Sequence, residues 1–193
     1  GALDPADHFG ADTRMLRPSP TRLATDYSRY LGDLPPGAHV DEWGIGRRPS
    51  ASTDAAHAHL DGFIYSLLGA TDERDALHYP LPDLDADYRY RDFAARVAAV
   101  QARGLAALAA LECTIFEVAW YMRSMERLLL DFADGSSFAA TLLDRITAIR
   151  EVQARRYAGS GADVICMGDD VGTQRGMLMS VRMWRTWLKP RLA

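Results

Sequence analysis

Gly161-Ala162-Asp163-Val164-Ile165-Cys166-Met167-Gly168-Asp169-Asp170-Val171-Gly172-Thr173-Gln174 is the stretch that decides the fold class. Val164 to Met167 is wholly apolar and breaks at Gly168 into two adjacent acids, a second glycine and polar side chains. Four consecutive apolar residues before a glycine predict a strand buried on both faces, as in a parallel sheet. Acids at the carboxyl end of such a strand stand where α/β barrels and open α/β sheets place their chemistry. Asp169 and Asp170 also suit a plainer role, opening a turn and capping the next helix.

A second apolar run upstream weighs on that choice. Gly104 closes a helix, and Leu105 to Leu111 reads as another buried strand, polar again at its end in Glu112-Cys113-Thr114. From Ile115 the chain enters a helix running to about Asp131, with Met122, Met125, Leu129 and Phe132 on one apolar stripe. Ser136 or Ser137 is the expected cap of the next helix, with the stripe Leu142, Ile146, Ile149 and Val152, and Gly159 and Gly161 end it. A last helix is expected from Arg182 to Leu192, capped by Ser180 and bent or broken at Pro190. Strands alternating with helices predict parallel strands joined by crossovers, an α/β fold. Both strands end in acids, which favours a pocket role for Asp169 and Asp170.

The earlier part is less patterned. Residues 1–35 are loop-rich, with a short strand expected over Asp12 to Arg17, stopped by Pro18 and Pro20. His39 to Gly46 reads as a weak strand followed by the basic pair Arg47-Arg48. His57 and His59 stand two apart, on different faces of a helix and without an obvious third ligand, so a solvated surface is the expectation. Thr71-Asp72-Glu73 opens a short helix ending near His78. Asp83, Asp85 and Asp87 precede a helix from about Tyr88 to Arg103, where they are expected to complement its dipole rather than bind metal.

The chain has 193 residues and a net charge of -4, with no basic footprint for nucleic acid. Arg103, Glu112, Glu117 and Arg123 interrupt the most apolar region, so no membrane-spanning stretch is expected. Cys113 and Cys166 lie in apolar surroundings, which favours buried, reduced thiols and a cytoplasmic location. A calcium loop at Asp169-Asp170 lacks the alternating oxygen ligands it would need.

Three blocks carry a family resemblance. They are Glu117-Val118-Ala119-Trp120-Tyr121-Met122-Arg123-Ser124-Met125-Glu126, the opening stretch to Gln174, and Trp184-Arg185-Thr186-Trp187-Leu188-Lys189-Pro190, with Pro80-Leu81-Pro82-Asp83 upstream. Together they resemble the uroporphyrinogen decarboxylase superfamily, in particular its decarboxylase-like branch, which includes corrinoid-dependent methyltransferases. The resemblance spans about residues 80–193, with residues 1–79 a loop-rich amino-terminal part of the same domain. It implies a (β/α)8 TIM barrel with its site at the carboxyl ends of the strands. A barrel of this kind needs on the order of 250 residues or more, so the chain is expected to be its amino-terminal half, prone to associate through open strand edges.

Residue by residue, the resemblance implies substrate contacts from Tyr121, with Glu117 and Trp120 beside it, and from Gln174 on the later connection, where Asp170 and Asp169 are the candidate catalytic acids. Asp12 and Arg14 lie near the places of the decarboxylases' catalytic acid and propionate-gripping arginines, but the surrounding motif does not match. An acid at Asp169 would repel a substrate carboxylate, and an octa-acid needs several fixed guanidinium partners. The expected activity is therefore methyl transfer with a corrinoid, a corrinoid protein or a small methylated substrate. The alternative is a carboxy-lyase, uroporphyrinogen decarboxylase of porphyrin and heme biosynthesis. A third reading is a catalytically incomplete piece that acts only by association. Zinc and a corrinoid are the cofactors implied for a methyltransferase, with the zinc ligands beyond Ala193 and with Cys113 and Cys166 lacking the His-x-Cys spacing.

Overall fold

The computed structural model describes residues 5–49 and 62–193. In chain order the first elements are α1 (Pro5–His8), β1 (Thr13–Leu16), α2 (Ser28–Leu31), β2 (His39–Val40), β3 (Gly46–Arg47) and β4 (Phe63–Ile64). Then come α3 (Glu73–His78), a 3-10 turn (Asp87–Arg89), α4 (Phe93–Gln101), β5 (Ala106–Glu112), α5 (Phe116–Arg123) and α6 (Met125–Ala133). The remainder is α7 (Ser137–Gly159), β6 (Val164–Gly168), β7 (Gly172–Thr173), β8 (Gly176–Met177), α8 (Val181–Trp187) and α9 (Lys189–Leu192). His57 and His59 lie outside the described residues.

These elements form two compact units. The first takes residues 1–22, 83–114 and 148–169; the second takes 23–82, 115–147 and 170–193.

The first unit is built on a parallel sheet in the order β1-β5-β6. Thr13 pairs with Ala106 and Leu16 with Ala109, while Leu108 pairs with Val164 and Glu112 with Gly168. On one face of β5, Ala107, Ala109 and Leu111 pack with Leu16, with Phe93, Val97 and Val100 of α4, and with Tyr157. Alanine at alternate positions lets the helix lie close, and the larger α4 side chains fill the space. The unit is thus mixed α/β with parallel strands, and no barrel closes among the described residues.

The expectation that the opening strand is buried on both faces is corrected. β6 forms as predicted, but Val164 is 46% and Met167 50% exposed. The reason is position, because among the described residues β6 is an edge strand that pairs only with β5. Even β5 gives only one face to the core cluster. The two thiols follow suit: Cys113 and Cys166 are half-buried rather than buried.

A further correction concerns Asp83, Asp85 and Asp87. The helix expected from about Tyr88 begins at Phe93, past the 3-10 turn, so these acids lie six or more residues before it rather than in its first turn; its N-cap position, Asp92, makes no side-chain capping bond. Asp85 and Asp87 instead pair with Arg156, at 2.9 and 2.8 Å. Asp83 accepts from Tyr88 at 2.5 Å and from Thr21 and the buried Arg89 at 3.1 Å each. Burial works to raise the Asp83 pKa, but the bonds from Tyr88, Thr21 and Arg89 outweigh it and hold the carboxyl below its ordinary value. Such a group stabilises the fold above its unfolded pKa of about 4, and that contribution disappears as pH falls through the lower folded value. Asp83→Asn is expected to lower the melting temperature at neutral pH and to make the fall in melting temperature below about pH 4 shallower. Circular-dichroism melts at neutral pH and in acid check this; parallel wild-type and variant curves would refute it.

The second unit holds an antiparallel sheet, β2-β3-β4, and the hairpin β7-β8. Gly44 turns the chain between β2 and β3 at φ +75, where a Cβ would lie 2.0 Å from the Tyr79 hydroxyl and 2.5 Å from the Tyr27 ring. Only glycine fits that conformation and that space. Helix α3 starts as its sequence predicts, with a capping box in which Asp72 accepts from the backbone and Asp75 reaches back to Asp72.

The single helix expected from Ile115 to Asp131 is two. Ser124, at φ 73, closes α5 by donating its N–H to Trp120 and caps α6 by accepting from Arg127 N–H. No glycine or proline marks this break, so helical periodicity runs straight through it. The stripe differs too, with Leu128 and Phe132 buried together with Asp131. By contrast, Ser180 caps α8 by accepting from Met183 N–H, and the helix ends at Trp187, just before Pro190.

In α7 the buried line shifts along its length. Leu142 and Ile146 are buried as expected, but Ile149 and Val152 are only half-buried. Arg150, Gln153 and Tyr157 take the inner positions instead, spaced by three and four residues.

Candidate functional site

The carboxyl ends of the parallel strands in the first unit bring charged groups together. Arg17 follows β1, Glu112 is the last residue of β5, and Asp169 follows β6. The Arg17 guanidinium forms an ion pair with Glu112, and both side chains remain substantially exposed. Arg96 Nη1 donates to the Arg17 carbonyl at 2.9 Å, fixing the backbone where β1 exits. Asp169 is half-buried beside this edge.

The exit of β5 is held by buried polar groups. Arg150 donates through Nε to the Thr114 carbonyl at 3.0 Å, through Nη2 to the Cys113 carbonyl at 2.9 Å, and through Nη1 to Gln153 Oε1 at 2.7 Å. Gln153 Nε2 donates to the Tyr157 hydroxyl at 2.8 Å, which donates to the Ala110 carbonyl at 2.8 Å. Thr114 Oγ1 donates to the Leu111 carbonyl at 2.7 Å, and Thr114 N–H donates to the Gly168 carbonyl at 2.9 Å. Cys113 sits at φ 51, a left-handed conformation uncommon for a residue with a Cβ. Such a turn persists because its carbonyl and those beside it are pinned from behind. The outcome is a fixed direction for the chain on either side of Glu112.

Asp12 and Arg14 stand elsewhere. The Asp12 carbonyl accepts from Ala106 N–H, so Asp12 lies at the amino end of the sheet, roughly 20 Å from Glu112 at about 3.3 Å per residue. Arg14 pairs with Asp7 and donates to the Ala11 and Thr13 carbonyls, at 2.8 and 2.7 Å, also at the amino end. That distance separates them from the acids at the carboxyl ends. Arg17, three residues past Arg14, is the arginine that reaches the carboxyl end.

In the second unit, Glu117, Trp120 and Tyr121 come together on α5. The Tyr121 hydroxyl donates to Glu117 Oε1 at 2.9 Å, the natural reach of an i, i+4 pair. Tyr121 stacks on Phe63 with centroids 4.6 Å apart, and Trp120 meets both rings edge-on at 4.1 and 5.3 Å. Arg47 lies 4.6 Å over the Phe63 ring and 5.7 Å from the Tyr121 ring. The Trp120 indole N–H is buried and has no acceptor among the described residues. Asp170 and Gln174 are exposed; Gln174 forms the tip of the β7-β8 hairpin with Arg175.

Arg17 and Glu112 had a signal in the sequence, since Arg17 ends an expected strand and Glu112 directly follows one. Arg47 and Phe63 had none, because a guanidinium on a ring leaves no spacing rule.

Among the described residues, no group of three or more His, Cys, Asp or Glu side chains could hold a metal ion. No helix there is long and apolar enough to cross a membrane. The chain matches no family model, no curated protein and no solved structure.

Proposed function

We propose that this chain is part of a uroporphyrinogen decarboxylase-like (β/α)8-barrel enzyme whose reaction is methyl transfer involving a corrinoid or a small methylated substrate. The resemblance in the blocks around Tyr121, Asp169 and Trp187 motivates the family. The parallel order β1-β5-β6, with charged residues at the carboxyl ends, supports a barrel-type site.

One observation favours methyl transfer over decarboxylation of a polycarboxylate. The arginine at the carboxyl end of β1, Arg17, is neutralised by Glu112. A substrate with many carboxylates would meet repulsion there rather than free guanidinium groups. In this reading Glu112 and Asp169 orient a neutral or cationic methylated group by hydrogen bonding. Zinc would supply a polarised thiolate as methyl acceptor, but the described residues do not fit a zinc site, and no step is assigned through one.

The test is a pair of assays on the full-length protein. Incubation with methylcobalamin and 2-mercaptoethanol is expected to give thiol-dependent loss of the methylcobalamin absorbance, and Glu112→Gln to slow it by about tenfold or more. Conversion of uroporphyrinogen III to less carboxylated porphyrinogens, with no demethylation, would overturn methyl transfer in favour of a carboxy-lyase.

A further inference from the structure

A cavity in the second unit lies outside all of these residues. It has a volume of about 270 Å3 and is lined by Arg29, Tyr30, Ser66, Asp75 and, from the turn that follows Ser66, Leu67, Gly69 and Ala70. That volume falls below the usual range of about 300–1,000 Å3 for drug-sized ligands, which suits a compact molecule and excludes a tetrapyrrole.

Its walls are built from fixed groups. The buried Arg123 donates through Nη1 to the carbonyls of Leu67, Leu68 and Ala70, at 2.6, 3.2 and 2.7 Å, which locks the turn. Asp75 belongs to the capping box of α3, and its Oδ2 accepts from the N–H groups of Thr71 and Asp72 at 3.0 and 3.2 Å. Those two bonds hold the carboxyl below its ordinary value, so it is anionic at neutral pH. They leave Oδ1 without a donor among the described residues.

Ser66 is 5% exposed, and its hydroxyl lies 2.7 Å from that of Tyr79. The Tyr79 proton is already directed to the Trp43 carbonyl at 2.8 Å. Ser66 must therefore donate to Tyr79, which leaves the Ser66 oxygen lone pairs to accept from something else. Arg29 rests 5.8 Å from the Tyr30 ring centroid and acts electrostatically on Asp75. No ion pair within 4.0 Å joins Arg29 to Asp75 among the described residues. One cavity thus carries a cation and an anion held apart.

We infer that this cavity binds a small zwitterion of α-amino-acid size, its carboxylate on Arg29 and its ammonium between Asp75 Oδ1 and Ser66 Oγ. Two separated charges of opposite sign select for a ligand carrying both, because a singly charged molecule leaves one wall charge without its partner.

Calorimetric titration of the full chain with L-alanine tests this, with propionate and ethylamine as the two single-charge analogues. Saturable binding of L-alanine with a Kd of about 1 mM or tighter is expected, and binding of either analogue weaker by about tenfold or more. Arg29→Gln, on an exposed side chain, and Asp75→Asn, which keeps an oxygen for the capping bonds, are each expected to weaken L-alanine binding by about tenfold. No saturable binding of L-alanine overturns the proposal. So does equal affinity for propionate or ethylamine, or an unchanged affinity in Arg29→Gln with an unchanged circular-dichroism spectrum.

Discussion

Arg123→Met is expected to destabilise the protein by about 3–5 kcal/mol, the range for removing one partner of a buried ion pair. The Arg123 side chain is 3% exposed and meets Asp131, itself 11% exposed, through Nε at 2.8 Å and Nη2 at 3.2 Å. Its remaining nitrogen serves the three carbonyls of the 67–70 turn, and its guanidinium lies 4.5 Å from the centroid of the Phe138 ring. Met matches the stem but leaves the Asp131 charge and three carbonyl oxygens without their donor. At roughly 2–4 °C per kcal/mol for a domain of 150–250 residues, the melting temperature should fall by roughly 6–20 °C. Replacing a simple buried pair on both sides with apolar residues often restores stability. Arg123→Met with Asp131→Leu is expected to recover only part of the loss here, since the carbonyls stay unsatisfied. Thermal melts of both variants check this; full recovery in the double variant would show that the carbonyl bonds contribute little.

Much of the backbone was legible because local chemistry decides it. The apolar run ending at Gly168 became β6, Leu105 to Leu111 marked β5 within one residue at each end, and Asp72 and Ser180 cap the helices their positions suggest. What escaped was whatever depends on a partner distant in sequence. Exposure of Val164 and Met167 follows from the edge position of β6, and four apolar residues in a row cannot report which strand lies at an edge. Likewise Ser124 takes a left-handed conformation that its neighbours do not announce.

The candidate site divides in the same way. Glu117 and Tyr121, four residues apart on a helix, were bound to meet, and they do. Asp169 was placed by the rule that chemistry follows the ends of parallel strands. The same rule, extended to Arg17 and Glu112, points to the ion pair beside it. Asp12 was selected by its distance along the chain from the amino terminus. Three-dimensionally it precedes β1 where Arg17 follows it, and those few residues carry it to the opposite end of the sheet.

Arg150 carries the second large expected effect, and it bears on stability and on the proposed site together. Its buried guanidinium holds the Thr114 and Cys113 carbonyls and Gln153, and each acceptor left unsatisfied costs about 1–3 kcal/mol. Arg150→Met should therefore destabilise the protein by about 3–9 kcal/mol, less whatever water recovers by entering. Arg150→Lys separates packing from hydrogen bonding. Its single ammonium keeps the charge but cannot span the same three acceptors, so it should restore less than half of the lost stability. The Cys113 conformation, no longer pinned, is expected to relax, and with it the direction of Glu112 towards Arg17. If Glu112 takes part in turnover, Arg150→Lys at a temperature where it remains folded should lower kcat more than it raises KM, since a displaced polar group loses its alignment first. A variant as stable and as active as the wild type would reduce the Arg150–Gln153–Tyr157 chain to ordinary filling of the core.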